Sequence, residues 1–324
     1  MAIRIKKDRI EFILGSNTYS LVETTDGAVF DGTLYTSNII QDAFQGSVSG
    51  YTSGGYAPPA ALNTIDKFPF ATNANATDVG DLTAARRSAA GQSSFVSGYT
   101  SGGPSSNVID KFPFASDANA TDVGDLTQGR NLPAGQSSTV SGYTSGGYSS
   151  GCVNTIDKFS FASDANATDV GDLTQIRFAP SGQSSTDSGY TSGGFYITNV
   201  IDKFPFASNA NATDVGDLTQ SRGYLAGQSS LVSGYASGGY SYPFRNTIDK
   251  FPFATNANAT DVGDLTTVRM CNTGQSSTAS GYSSGGATPT VTNTIDKFPF
   301  ASDANASDVG DLTVSRSGSA GQQV

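Results

Sequence analysis

The sequence predicts an all-β fold: a six-bladed β-propeller closed by its two chain ends and preceded by a small β-rich N-terminal piece. Three observations predict it. First, Ile-Asp-Lys-Phe recurs six times, beginning at Ile65, Ile109, Ile156, Ile201, Ile248 and Ile295. Second, each copy sits in a longer phrase, roughly AGQSSxxSGYTSGG…NxIDKFPFAxxANATDVGDLTxxR, whose copies lie 44 to 47 residues apart and fill the chain after about residue 46. A period of that size marks a stacked or circular repeat architecture. Third, the phrase starts and stops out of phase. The first copy lacks its AGQSS segment, and the chain ends on SGSAGQQV, an AGQ segment with nothing after it.

In chain order, residues 1–46 read as strands IRIKK, RIEFIL, TYSLVE and AVFDGTLYTS, with turns at Gly15-Ser16-Asn17 and Thr25-Asp26-Gly27. Ile10, Phe12 and Leu14 alternate on one face. A piece this short rarely buries enough surface to stand alone, so it is expected to pack on copies of itself, on the repeats or on a larger assembly. Residues 47–324 are the repeats. Each repeat divides into four short segments bounded by Gly, Asn, Asp or Pro: AGQSSxx, SGYTSGG, NTIDKFPFA and ATDVGDLTxxR. Helical periodicity is absent, and β-branched and aromatic residues fill the apolar places. Four short antiparallel strands per unit make a propeller blade. The phase mismatch predicts that Ala320–Val324 pairs beside Ser49–Gly55, completing one blade from both chain ends, because closure removes exposed sheet edges.

Composition limits the chemistry. The chain has 324 residues, 38 of them glycine, and only 14% are charged, yet each repeat keeps apolar residues at fixed places, which a flexible linker has no reason to do. The net charge is −10, with no basic stripe, which argues against nucleic acid as a partner. There is no histidine, so no imidazole base or metal ligand exists. Cys152 and Cys271 fall in variable segments and make no disulfide framework. Charges interrupt every apolar run of MAIRIKKDRIEFILGS, so it reads as neither secretory signal nor membrane span, and assembly in a cytoplasm is expected.

Spacing shows where the repeats vary. From Ile of IDKF to the first Asp of DVGD is 13 residues in all six repeats, and from that Asp to the second glycine of the next SGG is 25 in all five intervals. From that glycine to the next Ile the distance is 10, 6, 9, 7, 9 and 9. Length variation thus sits between the second and third strands. A second stretch, after the closing arginine, varies in content: RSAA, NLPA, FAPS, GYLA and MCNT. In an up-down-up-down blade these two stretches share one face. The candidate ligand-binding residues are its aromatics Tyr56, Tyr148, Phe195, Tyr196, Tyr240, Tyr242 and Phe244, which offer large contact area at low entropic cost. The competing reading is that these loops drift because packing leaves them free.

Other constellations carry weaker signals. Asp117-Ala-Asn119-Ala-Thr121-Asp122 echoes a calcium loop, but position six is Asp122 rather than Gly, no distal Glu follows, and Asp117 is Asn in three of the six repeats; an Asx-type turn explains the same residues. A sequon recurs at Asn75, Asn119, Asn166, Asn211, Asn258 and Asn305, with no secretory signal to make use of it. The repeated Asp, Lys and Arg read as ion pairs and turn caps between strands and blades. Six equivalent carboxylate sets argue against one asymmetric hydrolytic site. The chain is therefore expected to be no enzyme and to carry no metal or cofactor.

The double glycines from Gly54-Gly55 to Gly285-Gly286, the aromatic third strand and the closing arginines Arg86, Arg130, Arg177, Arg222, Arg269 and Arg316 resemble the kelch repeat over residues 47–324, although the usual tryptophan is missing. Phrases like IDKFPFA…ATDVGDLT and the segment FDGTLYTSNI are similar to tailed-phage structural and fibre proteins, marine phages included. That resemblance implies a virion component: residues 1–46 would bind other virion proteins and form a homo-oligomer, and the propeller would meet a host surface glycan or protein. The alternative is a free cellular lectin or protein-interaction propeller, and a glycan-acting enzyme stands third.

Overall fold

In the computed structural model, residues 45–195 and 198–324 are described in full, and residues 2–5, 9–14, 17–24 and 27–31 as backbone strands. Two compact units result, Met1–Gln41 and Asp42–Val324. The first holds an antiparallel meander of Ala2–Ile5, Arg9–Leu14, Asn17–Thr24 and Gly27–Asp31. The expected turn residues Gly15-Ser16 and Thr25-Asp26, the rest of FDGTLYTSNI after Asp31, and the side chains at Ile10, Phe12 and Leu14 lie outside the described residues.

The second unit is a six-bladed β-propeller. Five blades take their four antiparallel strands from consecutive chain, as in Ala90–Ser93, Ser97–Ser101, Val108–Pro113 and Thr121–Asp125. The sixth sheet combines Ala320–Gln323 with Ser49–Ser53, Thr64–Pro69 and Thr77–Asp81. Its register is Ala320↔Ser53, Gly321↔Thr52, Gln322↔Tyr51 and Gln323↔Gly50, the closure the sequence phase predicts. Two small hairpins, Tyr56–Ala57 with Ala60–Ala61 and Ala287–Thr288 with Thr290–Val291, form inside the variable segment. No helix among the described residues is long and apolar enough to cross a membrane.

The first strand of each blade lines the axis, where Gly91, Gly135, Gly182, Gly227, Gly274 and Gly321 surround a narrow cavity. These glycines are needed for close approach. A Cβ on Gly182 would lie 2.1 Å from the Gly135 carbonyl oxygen, and the same contact recurs round the ring, from Gly91 on Gly321 to Gly321 on Gly274. The double glycine after the second strand answers a different need: Gly54 and Gly55 have φ of +63° and +113°, a region L side chains avoid. Replacing Gly182 with Ala is therefore expected to destabilise by about 2–3 kcal/mol through overpacking, read as a lower Tm. Gly151→Ala, at a position with no atom within 4 Å, is the unaffected control.

The core lies between blades. Tyr99 of one blade packs on Phe159 and Phe161 of the next, with ring centroids 5.4 and 4.8 Å apart, and Tyr282 meets Phe68 and Phe70 across the closing seam. The glutamine of AGQ spans the same seams: Gln136 Nε2 donates to the Tyr190 carbonyl oxygen and Thr191 Oγ1, both at 3.0 Å. The closing arginine of each repeat pairs with the IDKF aspartate of the following blade, as in Arg130–Asp157 (2.7 Å), Arg177–Asp202 (2.6 Å) and Arg316–Asp66 (2.5 Å). The same aspartate accepts from the preceding blade's threonine; Thr174 N–H and Oγ1–H reach Asp202 at 3.0 and 2.7 Å.

The ANATD turn is also an inter-blade element. The Asn119 side-chain oxygen accepts from Asp81 N–H of the preceding blade at 3.0 Å, and Ala120 N–H donates to the Asp81 carbonyl at 2.7 Å. This repeats at Asn166, Asn211, Asn258, Asn305 and Asn75, so each outer strand has its edge partly covered by the next blade. Asp122 Oδ1 meanwhile accepts from Gly124 N–H at 3.1 Å. Where the residue two before the asparagine is aspartate, it pairs with a lysine one blade back, as in Lys111–Asp164 at 2.9 Å.

Candidate functional site

The variable stretches meet on one face. Isolated bridges join five of the six exit stretches, all but the one beginning at Arg87, to a loop of the next blade: Asn131↔Tyr148, Phe178↔Phe195, Gly223↔Tyr240, Met270↔Ala287 and Tyr56↔Ser317. On the opposite face run the near-constant QSS and ANATD turns, and the chain enters there: Gln45 Nε2 donates to the carbonyls of Ser229 and Ser277, and Gly46 N–H to that of Ser276.

At the centre of the variable face is a ring the sequence does not announce. Leu132 N–H donates to the Ser88 carbonyl, Ala179 to Leu132, Tyr224 to Ala179, Cys271 to Tyr224, Gly318 to Cys271, and Ser88 to Gly318, at 2.6 to 2.9 Å. One residue per blade thus closes a circle of six backbone hydrogen bonds. All six residues have φ between +53° and +61°, and only one of them is glycine. Left-handed conformation costs an ordinary residue roughly 1–2 kcal/mol, so the five side-chain-bearing members hold it against local preference because the circle over-determines them. The exit stretches vary in side chain on a backbone that is fixed. Free drift does not describe them.

Three groups of side chains rise from this frame. Phe178 lies 5.9 Å from Tyr148, 5.1 Å from Phe195 and 6.1 Å from Tyr224, and Phe195 lies 5.8 Å from Tyr224, all centroid to centroid. Tyr240 packs on Tyr242 (6.3 Å) and Phe244 (5.4 Å), with Tyr242 84% exposed. Tyr56 carries the Arg87 guanidinium 4.4 Å from its ring centroid. Of the sequence candidates, Tyr148 and Phe195 come together, Tyr240, Tyr242 and Phe244 form a second group, Tyr56 stands with Arg87, and Tyr196 lies outside the described residues. Phe178, Tyr224 and Arg87 were missed as members. They sit in the exit stretches: Phe178 bridges Phe195 in the next blade's loop, whereas Tyr224 and Arg87 pack on Phe195 and Tyr56, in loops of the blades they leave.

Burial pushes the Cys271 thiol up to about 12, against a smaller opposing pull from the Arg87 charge. Burial also raises the Cys152 thiol. At pH 8 iodoacetamide is expected to label Cys271 at least about a hundredfold more slowly in the native protein than in the unfolded chain, as followed by mass spectrometry, because the thiolate is the reactive form. Among the described residues no group of three or more His, Cys, Asp or Glu is placed to hold a metal ion. No protein-family model matches the chain, and no curated protein matches it either.

Proposed function

We propose that this protein is a non-enzymatic recognition module of a virion, a tail appendage or head decoration, in which kelch-like blades present the variable face to a host surface. The observation that carries this reading is the ring: side chains differ from blade to blade on a backbone tied by six hydrogen bonds, so the contact groups are pre-organised. Pre-organisation reduces the ordering cost of binding, and clustered Tyr and Phe are the usual anchors of a binding surface. In this reading residues 1–46 attach to other virion proteins, and the variable face meets the host.

The test is adhesion of the purified protein to host cells. Replacing Tyr148, Tyr240 and Tyr242 by glycine is expected to reduce adhesion at least about tenfold while Tm changes little. Unchanged adhesion refutes the assignment of the face. Light scattering addresses the virion part: a symmetric homo-oligomer lost on removal of residues 1–46 supports it, and a monomer indifferent to that removal favours a free cellular lectin or protein-interaction propeller.

A further inference from the structure

The charges of the propeller are unevenly placed. Its 22 acidic residues comprise the six buried IDKF aspartates, the twelve of the DVGD strands, and Asp117, Asp164, Asp187 and Asp303 on the constant-turn side. None lies in the variable-face segments, 54–63, 83–89 and their equivalents in each blade. Of the 14 basic residues, six are the third-strand lysines and six the buried clasp arginines; the remaining two, Arg87 and Arg245, both stand on the variable face. On an acidic protein, the one face bare of carboxylates holds both cations that the repeat does not require.

Arg87 is exposed and has no carboxylate partner among the described residues. The equivalent position in the other repeats is Asn131, Phe178, Gly223, Met270 and Ser317, so an arginine there serves no structural need of the repeat. Its guanidinium, over the Tyr56 ring, borders a depression of about 290 Å³ at the centre of the face, lined also by Ser88, Asn131, Tyr224 and Cys271 of the ring region. Asn131 lines that depression too, but its side-chain oxygen, which accepts no hydrogen bond from any described residue, is itself buried from solvent. A guanidinium with no carboxylate partner, set over a half-buried tyrosine at a small hollow, fits one sugar ring that bears an anionic group.

We infer that the central depression binds a carboxylate-bearing sugar unit of a surface polysaccharide, with the carboxylate on the Arg87 fork. The inference rests on the reading of this face as the recognition surface. A single planar guanidinium takes a carboxylate in bidentate geometry and balances its one charge, whereas a phosphate monoester, taken in the same geometry, carries close to two charges against the one cation here.

The experiment is calorimetric titration of the full-length protein with oligosaccharides of galacturonate, mannuronate, guluronate and N-acetylneuraminate. Each is compared with its carboxyl-reduced counterpart and with sulfated neutral oligosaccharides. At least one carboxylated oligosaccharide is expected to bind about tenfold to a hundredfold more tightly than its reduced form, the range for a hydrogen bond to a charged group. Arg87→Gln is expected to erase that difference, Arg87→Lys to keep part of it, and Arg245→Gln to leave it intact, with Tm unchanged because Arg87 is exposed. Equal binding of carboxylated and reduced forms, binding insensitive to Arg87→Gln, tighter binding of the sulfated series, or no binding by any oligosaccharide each overturns the inference. Cell adhesion separates this from failure of the parent reading: adhesion lost in the Tyr148, Tyr240 and Tyr242 variant but kept in Arg87→Gln leaves the face standing and removes only the acidic sugar.

Discussion

Deleting Ala320–Val324 is expected to abolish cooperative folding of the propeller, the largest effect of any small change considered. The five residues supply the whole inner strand of one blade. Gln322 alone donates to Ser53 Oγ, the Tyr99 carbonyl and Thr100 Oγ1, bridging its own blade to the next. Val324 accepts from the N–H groups of Val48 and Ser49 and donates back to the Ser49 carbonyl. With the ladder included, about eight hydrogen bonds at roughly 0.5–1 kcal/mol each are lost, comparable to the whole stability of an ordinary domain. The deletion also bares the edge of Ser49–Ser53, which favours aggregation. The measurement is thermal unfolding with light scattering; a sharp transition within a few degrees of the intact chain would show that closure contributes little.

A permuted propeller separates loss of closure from loss of five residues. Val324 stands where Ser94, Ser138, Ser185, Ser230 and Ser277 stand in the other blades, and its N–H bonds Ser49 as Ser94 N–H bonds Ser97. Two residues, Ser47 and Val48, then precede Ser49, just as Phe95 and Val96 precede Ser97. Joining Val324 directly to Ser47 and opening new ends at Ser149–Gly151 therefore needs no linker. The product is expected to unfold cooperatively at a temperature close to that of the parent propeller.

The fold was legible because it is written six times. A glycine that must let inner strands touch, an arginine that must reach the next blade and a tyrosine that must meet the next blade's phenylalanines all recur at fixed intervals, so function within the repeat shows as identity between repeats. The site was only half legible for the complementary reason. Its aromatics were visible as departures from the repeat, but which of them touch depends on the offset that brings exit stretches against loops of neighbouring blades, which spacing along the chain does not encode. The ring of left-handed residues left no trace at all: Ser88, Leu132, Ala179, Tyr224 and Cys271 share no residue type, and only Gly318 has the expected chemistry. The ring is made by backbone groups, and backbone groups are the same in every sequence.

The second large effect is expected at the inter-blade clasps. Asp202 and Arg177 are both fully buried, and the aspartate accepts from Arg177, Thr174 Oγ1 and Thr174 N–H at once. Asp202→Ala leaves a guanidinium in the interior with its partner gone, which costs about 3–5 kcal/mol. The double replacement Arg177→Met with Asp202→Leu removes both charges and should recover much of that loss, since the desolvation of the pair disappears with it. The clasps are not equal. Arg222 and Asp249 are 3.1 Å apart, the longest of the six. Burial pulls the Arg222 guanidinium down and pushes the Asp249 carboxyl up, the latter against the attraction of Arg222 and the Thr219 hydrogen bonds. Desolvation outweighs pairing here, so Asp249→Asn should be the mildest of the six aspartate substitutions. The sign of its pH dependence follows. A carboxyl whose folded pKa is raised contributes stability in full below the unfolded carboxylate pKa and loses it as pH rises through the folded value. Going from pH 4 to pH 7, Asp249→Asn should therefore gain on the wild type in Tm. If Asp249→Asn falls further behind the wild type over that range, or if Asp202→Ala shifts Tm by less than a degree, the clasps are not the inter-blade ties described here.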